Sequence, residues 1–349
     1  MASTENPGNA APRAHLIVAA AAALLGAAAV AALVAASPAR AQGREILIAE
    51  PVHVLGYLPF YTAIHKGFFA EEGLRVKVVT MLGGAAHTNA VLSGQAWGFI
   101  GGPEHNAFAK AKGADIRAVV PVMVRGDTHL MARSDMTIQG NLKSYLKGKK
   151  IAVLPYGGTP HSIMLYMLHG MGLDPRRDVQ IVETSHPAVL AAVASKQAEF
   201  GITNEPFLTL GVQRGVWKGP VYNAPKELGP YIFTSINVPL NTIRNDANTV
   251  KSFVRAVIRG SRFATDAKNR AELIEIGQKE VATLKPDDLN TIINSALEHK
   301  LWSTDGQITP QMWKTALAVV RVTGILDKDV AYDEVIDMRF VAEVLKEMK

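Results

Sequence analysis

The chain has 349 residues, with 37 Lys and Arg against 31 Asp and Glu, and no cysteine. The missing thiols exclude a disulfide scaffold, thiolate zinc sites and a cysteine nucleophile. The modest positive charge is scattered among acids, with no like-charge run and no basic stripe interleaved with aromatics, so nothing marks a nucleic-acid surface.

The first segment with a pattern is an apolar, Ala-rich stretch over residues 16–36, preceded by Arg13 and His15. Ser37-Pro38 breaks it and Ala39-Arg40-Ala41 supplies an A-x-A triplet, so residues 1–41 read as a secretory signal peptide with cleavage after Ala41. The same run, about 20 residues, is long enough to stay as a membrane anchor. Beyond it no further run of about 18 apolar residues occurs, and the remaining 308 residues (349 minus 41) suffice for two lobes with their own cores.

Alternating strand and helix signals follow. Residues 45–49 read as a strand, 59–69 as a helix opened by a proline and stopped near Gly73, and 76–79 as a strand. Then come a Gly83-Gly84 turn, a helix over 85–92, a strand over 97–100, a helix over 104–112 and a buried strand over 116–124. The series restarts with strand 151–154, helix 161–169, strand 179–182, helix 188–195 and strand 200–203, after which Asn204-Glu205-Pro206 turns into another helix. This spacing predicts βαβ units, hence an α/β fold with mainly parallel sheets. Segments 128–133 and 231–237 read as paired crossover strands, a hinge passed twice. Lobe one then takes residues 42–133 and 234–349, and lobe two takes 134–233. From Asn245 the pattern is helical: Val250, Phe253, Val254, Val257 and Ile258 share one face of a helix over 247–267. Pro286-Asp287-Asp288 and Thr309-Pro310 open two more helices, and a last one begins near Asp337.

Open α/β sheets bind ligands beyond the carboxyl ends of their strands, where helix starts present free N–H groups and positive dipole ends. That rule selects loops 52–59, 83–87 and 102–106 of lobe one, and 156–161 and 204–207 of lobe two. Tyr57 and Tyr156 either stack on a ring or cover a lobe core. Gly83-Gly84 is either a tight turn or a close approach to ligand. Glu104 is a ligand acceptor or a first-turn acid, His105 faces cleft or solvent, and Glu205 is an acceptor or a turn acid. Gly157-Gly158-Thr159 is the most specific element, suited to a negative or strongly polar group. His53, His105, His129 and His161 fall near the cleft or hinge without a metal-ligand spacing, so no metal site is expected. Without a P-loop, G-x-S-x-G or G-x-G-x-x-G, neither a catalytic set nor a cofactor is expected.

Three stretches carry a family resemblance. Residues 58–74 (LPFYTAIHKGFFAEEGL), 92–99 (LSGQAWGF) and 146–153 (LKGKKIAV) are similar to segments of ABC transporter periplasmic solute-binding proteins. The group is the one for nitrate, sulfonates, taurine and thiamine pyrimidine precursors. The second stretch resembles its LxxGxxDxg motif, with Trp97 where an Asp is common. The resemblance implies a type II periplasmic binding fold whose lobes are joined by two crossover strands. It implies a monomeric, non-enzymatic periplasmic protein that captures a small molecule and delivers it to an inner-membrane ABC permease with its ATPase. It places contacts near His53, Tyr57, Gly84, Ala85, Glu104, Gly158, Thr159, Asn204 and Glu205. Two acids in the cleft disfavour a simple inorganic anion and favour a small organic ligand, ring-containing or with anionic edges, bearing an N–H donor for a glutamate. The alternatives are a periplasmic ligand sensor and a pyrimidine synthase-like enzyme; the latter uses His and Cys, and Cys is missing here.

Overall fold

The computed structural model describes residues 1–3, 43–82, 85–326 and 328–348. The signal features at 13–41 and the Gly83-Gly84 turn lie outside the described residues. Among the described residues no helix is long and apolar enough to cross a membrane.

The chain begins with β1 (Arg44–Glu50), α1 (Leu58–His65), α2 (Phe68–Glu71), β2 (Leu74–Thr80), α3 (Ala86–Leu92), β3 (Gly98–Gly101), α4 (Glu104–Ala111) and β4 (Ile116–Met123). It crosses to β5 (His129–Arg133), α5 (Leu142–Leu146), β6 (Lys150–Val153), α6 (Thr159–Gly170), β7 (Gln180–Glu183), α7 (His186–Ala194), β8 (Phe200–Thr203), α8 (Phe207–Gln213), β9 (Trp217–Asn223) and α9 (Ala224–Leu228). It returns through β10 (Thr234–Pro239) and ends in α10 (Leu240–Asn245), α11 (Ala247–Thr265), α12 (Arg270–Glu280), α13 (Pro286–Glu298), α14 (Pro310–Arg321) and α15 (Arg339–Glu347). The helix expected over 59–69 is two helices, because Gly67 adopts a left-handed conformation (φ 72°) that α-helix cannot continue.

The strands form two five-stranded sheets, in the orders β2-β1-β3-β10-β4 and β7-β6-β8-β5-β9. Each has a parallel half, β2-β1-β3 or β7-β6-β8, built by the predicted βαβ units. Each is completed by a strand that enters from the other lobe and runs antiparallel to both neighbours: β10 between β3 and β4, β5 between β8 and β9. The sheets are therefore mixed, and each lobe's fourth position is filled by the chain on its way out of the other.

The expected pairing of the two crossover strands needs correction. β5 and β10 belong to different sheets and do not pair with each other. The crossings themselves run side by side: the Tyr231 N–H donates to the Val124 carbonyl (3.2 Å) and the Phe233 N–H to the Met123 carbonyl (3.1 Å). A strand that must complete a sheet has both backbone edges committed there, so pairing between the lobes is left to the short connectors.

The largest core packs one face of the first sheet against α1, α11 and α15. Phe253 of α11 sits 4.8 Å from Phe69 and 5.0 Å from Trp97 between ring centroids, tying the helix face read from the sequence to α2 and the motif tryptophan. Two smaller cores cover the faces of the second sheet. The late helices pack on lobe one as expected, but α13 also reaches lobe two. Leu289 and Ile292 share a cluster with Leu55 and touch Leu210, Asp288 accepts from Gln213, and His299 meets Asn223 (3.1 Å).

Candidate ligand cleft

Where the carboxyl ends of the two sheets meet, a cavity of about 80 Å³ opens between the lobes. Lobe one contributes the loop after β1 (Pro51, Val52, Tyr57), the turn after β3 (Gly101, Gly102), His87 of α3, His105 of α4, and Met123, Phe233 and Thr234 at the crossings. Lobe two contributes Leu154, Pro155, Gly158, Thr159 and Pro160 after β6, His186 at the start of α7, and Asn204 after β8. The walls are mostly carbon, and apart from Thr234 on the second crossing the polar groups stand at or near helix starts, where strand-to-helix turns place them.

Glu104 and Thr159 face each other from the first turns of α4 and α6. The Thr159 hydroxyl donates to Glu104 Oε1 at 2.5 Å, a buried hydrogen bond between lobes. The carboxylate curls back over Gly102: a Cβ there would lie 2.0 Å from Glu104 Oε2, so only glycine lets the acid adopt this position. Burial pushes the Glu104 carboxyl up to about 7, against the Thr159 hydrogen bond that holds it down. Burial acts oppositely on the imidazoles. His105 and His186 are driven down to about 4 and His87 well below its ordinary value, so the three histidines are neutral at pH 7.

Several buried polar atoms of this wall have no protein partner: both ring nitrogens of His87 and of His186, Glu104 Oε2, Asn204 Oδ1 and Thr234 Oγ1. Buried polar groups left unpaired are costly, and their convergence on one cavity from both lobes marks a place built for a polar occupant.

A family model described as NMT1/THI5 like matches residues 55–271, well over half of the chain. The chain belongs to the NMT1/THI5-like family. YtlA of Bacillus subtilis, named as a binding protein, is 24% identical over 306 residues, which cover 87% of this chain and 90% of YtlA. The solved ligand-binding component of an ABC-type import system from Staphylococcus aureus aligns with a TM-score of 0.70 at 15% identity, over 86% of this chain and 99% of that one. The periplasmic nitrate-binding protein NrtA from Synechocystis PCC 6803 aligns with a TM-score of 0.70 at 15% identity, over 87% and 89%. The NMT1/THI5-like chain thus has the type II periplasmic binding fold: two mixed-sheet α/β lobes joined by two crossings.

Of the residues singled out in this family member's sequence, Tyr57, His105, Gly158, Thr159 and Asn204 line the cavity, and Glu104 stands in its wall against Thr159. The others lie elsewhere. His53 is half-buried behind the Pro51-Val52 wall, stacked on Tyr61, with its ring nitrogens on Glu50 (2.9 Å) and Glu280 (3.1 Å). Those two hydrogen bonds, Glu280 first, raise it to about 10, so it is a cationic clasp between β1 and the end of α12. His161 is buried under Leu154, with Nδ1 3.0 Å from that residue's carbonyl oxygen, and burial lowers its pKa. Tyr156 is exposed and donates its hydroxyl to the Thr323 carbonyl (2.8 Å), a tie between lobe two and the end of α14. Ala85 is exposed at the start of α3, and Gly84 lies outside the described residues.

Glu205 is buried but accepts from the N–H and hydroxyl of its own helix's Thr209 (3.0 Å each). It lines a second, water-sized cavity of about 10 Å³ with Asp127, His129, Ser295 and His299.

The sequence reading placed His87 in a ligand loop without giving it a role, and it missed His186, Phe233, Thr234 and Asp127. His186 was findable, since it opens the helix after β7 just as Gly158-Thr159 opens the helix after β6. Phe233, Thr234 and Asp127 lie on the crossings, where no helix start marks a site.

Proposed function

We propose that the chain is the extracytoplasmic solute-binding component of an ABC importer, a monomer that captures a small organic molecule between its lobes and hands it to an inner-membrane permease with its ATPase. The observation that carries this reading is the cavity between the two sheets, lined by unpartnered polar atoms from both lobes. A molecule that contacts both walls stabilises the closed arrangement by its differential affinity for it, and the closed clamp is what a permease recognises. Family membership, the import-system and periplasmic names of proteins with this fold, and the signal pattern at 1–41 support the same role and an exported location. In this reading lobe one comprises 42–133 and 234–349, lobe two comprises 134–233, and the cleft performs no chemistry. The test is mass spectrometry of whatever the protein retains through purification, combined with uptake of that molecule in a strain lacking the gene. Transport predicts one retained small molecule and lost uptake. Intact uptake would refute it.

A further inference from the structure

The unpartnered atoms of the cleft are unequal in kind. Glu104 Oε2, 1% exposed as a residue, and Asn204 Oδ1 are acceptors. Just behind the wall, Asp127, also 1% exposed, has Oδ1 3.4 Å from His129 Nε2, while Oδ2 has no partner. Asp127 acts electrostatically on Tyr57 and His186, both of which line the cavity. Neither carboxylate is itself a lining residue: Glu104 stands directly behind Gly102 and Thr159, which are, and the lining side chains include no Lys or Arg. Arg125, on the first crossing, is not among them. The histidines of the wall are neutral, so each keeps one ring nitrogen as an acceptor and the other as an N–H donor. An anion placed here finds neutral N–H donors but no counter-ion and stands beside buried carboxylates, whereas an N–H-rich cation meets those carboxylates and several acceptors.

On the solute-binding reading above, we infer that the cleft selects a small organic cation of the amidine or amine class. Its N–H edge meets Glu104 and Asn204, and its carbon body packs on Met123, Leu154 and Phe233. Thr159 orients the Glu104 carboxylate by holding Oε1, which leaves Oε2 to the ligand.

The test uses probe pairs matched in shape and opposite in charge: acetamidinium against acetate, and benzamidinium against benzoate. Binding is read by calorimetry and melting shift on the full-length protein freed of retained solute by unfolding and refolding. The amidinium of at least one pair should bind at least tenfold tighter than its carboxylate. Its affinity should rise about tenfold from pH 6 to pH 8, the ratio of ionised fractions one unit either side of about 7 for Glu104. Glu104→Gln, checked for folding by circular dichroism, should lose at least tenfold in amidinium affinity and flatten that profile. If the variant does not fold, the wild-type profile alone decides. A tighter carboxylate, or amidinium binding that ignores pH, would overturn the cation while leaving the solute-binding reading intact. No response to any of the four probes would also overturn it. A purified protein that moreover retains no small molecule would take the solute-binding reading with it.

Discussion

Glu104 and Thr159 are 55 residues apart in sequence and stand on different lobes, yet their side chains touch. Removing the hydroxyl with Thr159→Val takes from a buried carboxyl its one side-chain donor. A buried group stripped of its partner costs about 1–3 kcal/mol, so the melting temperature should fall, and Glu104 should hold its proton to still higher pH. A Thr159→Val protein with unchanged melting would show that the contact carries no energy. The pH dependence has a definite sign. Glu104 has its folded pKa raised from 4.5 to about 7, so its stabilising contribution is fully present below pH 4.5 and is lost as pH rises through 7. The loss is on the order of 3 kcal/mol, from 1.36 kcal/mol per unit. His105 and His186, lowered from 6.5 to about 4, act in the opposite window and withdraw stability as pH falls from 6.5 to 4. The melting temperature of Glu104→Gln relative to wild type should therefore be higher at pH 8 than at pH 5. A difference that does not change between those pH values would refute the assignment. The residue scale also shows where sequence reasoning stopped. Tyr57, Thr159 and Asn204 were legible because each sits at a helix start after a strand. His53 belongs to the expected loop but does not line the cavity, because its ring is held by Glu50 and Glu280. One of those partners, Glu280, is more than two hundred residues away, and local pattern holds no record of it.

At the scale of elements, α13 has two employers. Its proline start and first-turn acids were readable, and so was its packing toward lobe one. Its second contact was not, because Leu210 and Gln213 lie on a helix of the other lobe, and only the closed arrangement brings them to Leu289 and Asp288. Leu289→Ala removes a fully buried side chain from this small cluster and should cost about 2–5 kcal/mol in thermal or urea unfolding. Gln213→Ala, by contrast, breaks an exposed cross-lobe hydrogen bond, and its effect on stability should stay within about 0.5 kcal/mol. If Gln213→Ala destabilises as much as Leu289→Ala, then the polar contact and not the apolar cluster joins α13 to lobe two. Sheet composition was half legible for a related reason. The parallel halves follow from local βαβ spacing, while the places of β5 and β10 depend on which sheet has a vacant edge.

For the whole molecule, closure depends on what the crossings allow. They are tied to each other by two backbone hydrogen bonds and pass within contact of lobe two at Gly126. A Cβ at Gly126 would lie 3.2 Å from Leu228 Cδ1 and 3.3 Å from Ile163 Cδ1, tight enough that those side chains must give way by a few tenths of an ångström. The two further methyl groups of a valine cannot be accommodated that cheaply while Ile163 and Leu228 stay where the closed lobes put them. A hinge that opens by moving α6 and α9 away from the first crossing relieves the clash. Gly126→Val should therefore raise the free energy of the closed state without touching any residue that lines the cavity. Because observed affinity includes the free energy of closing, each 1.4 kcal/mol of that penalty weakens binding tenfold. The expected result is at least a tenfold weaker dissociation constant for the co-purifying solute, with an unchanged circular dichroism spectrum and a larger radius of gyration in solution scattering. An unchanged dissociation constant would mean that the lobes do not move relative to each other at this crossing. The hinge would then have to lie at the second crossing, between Leu228 and Phe233.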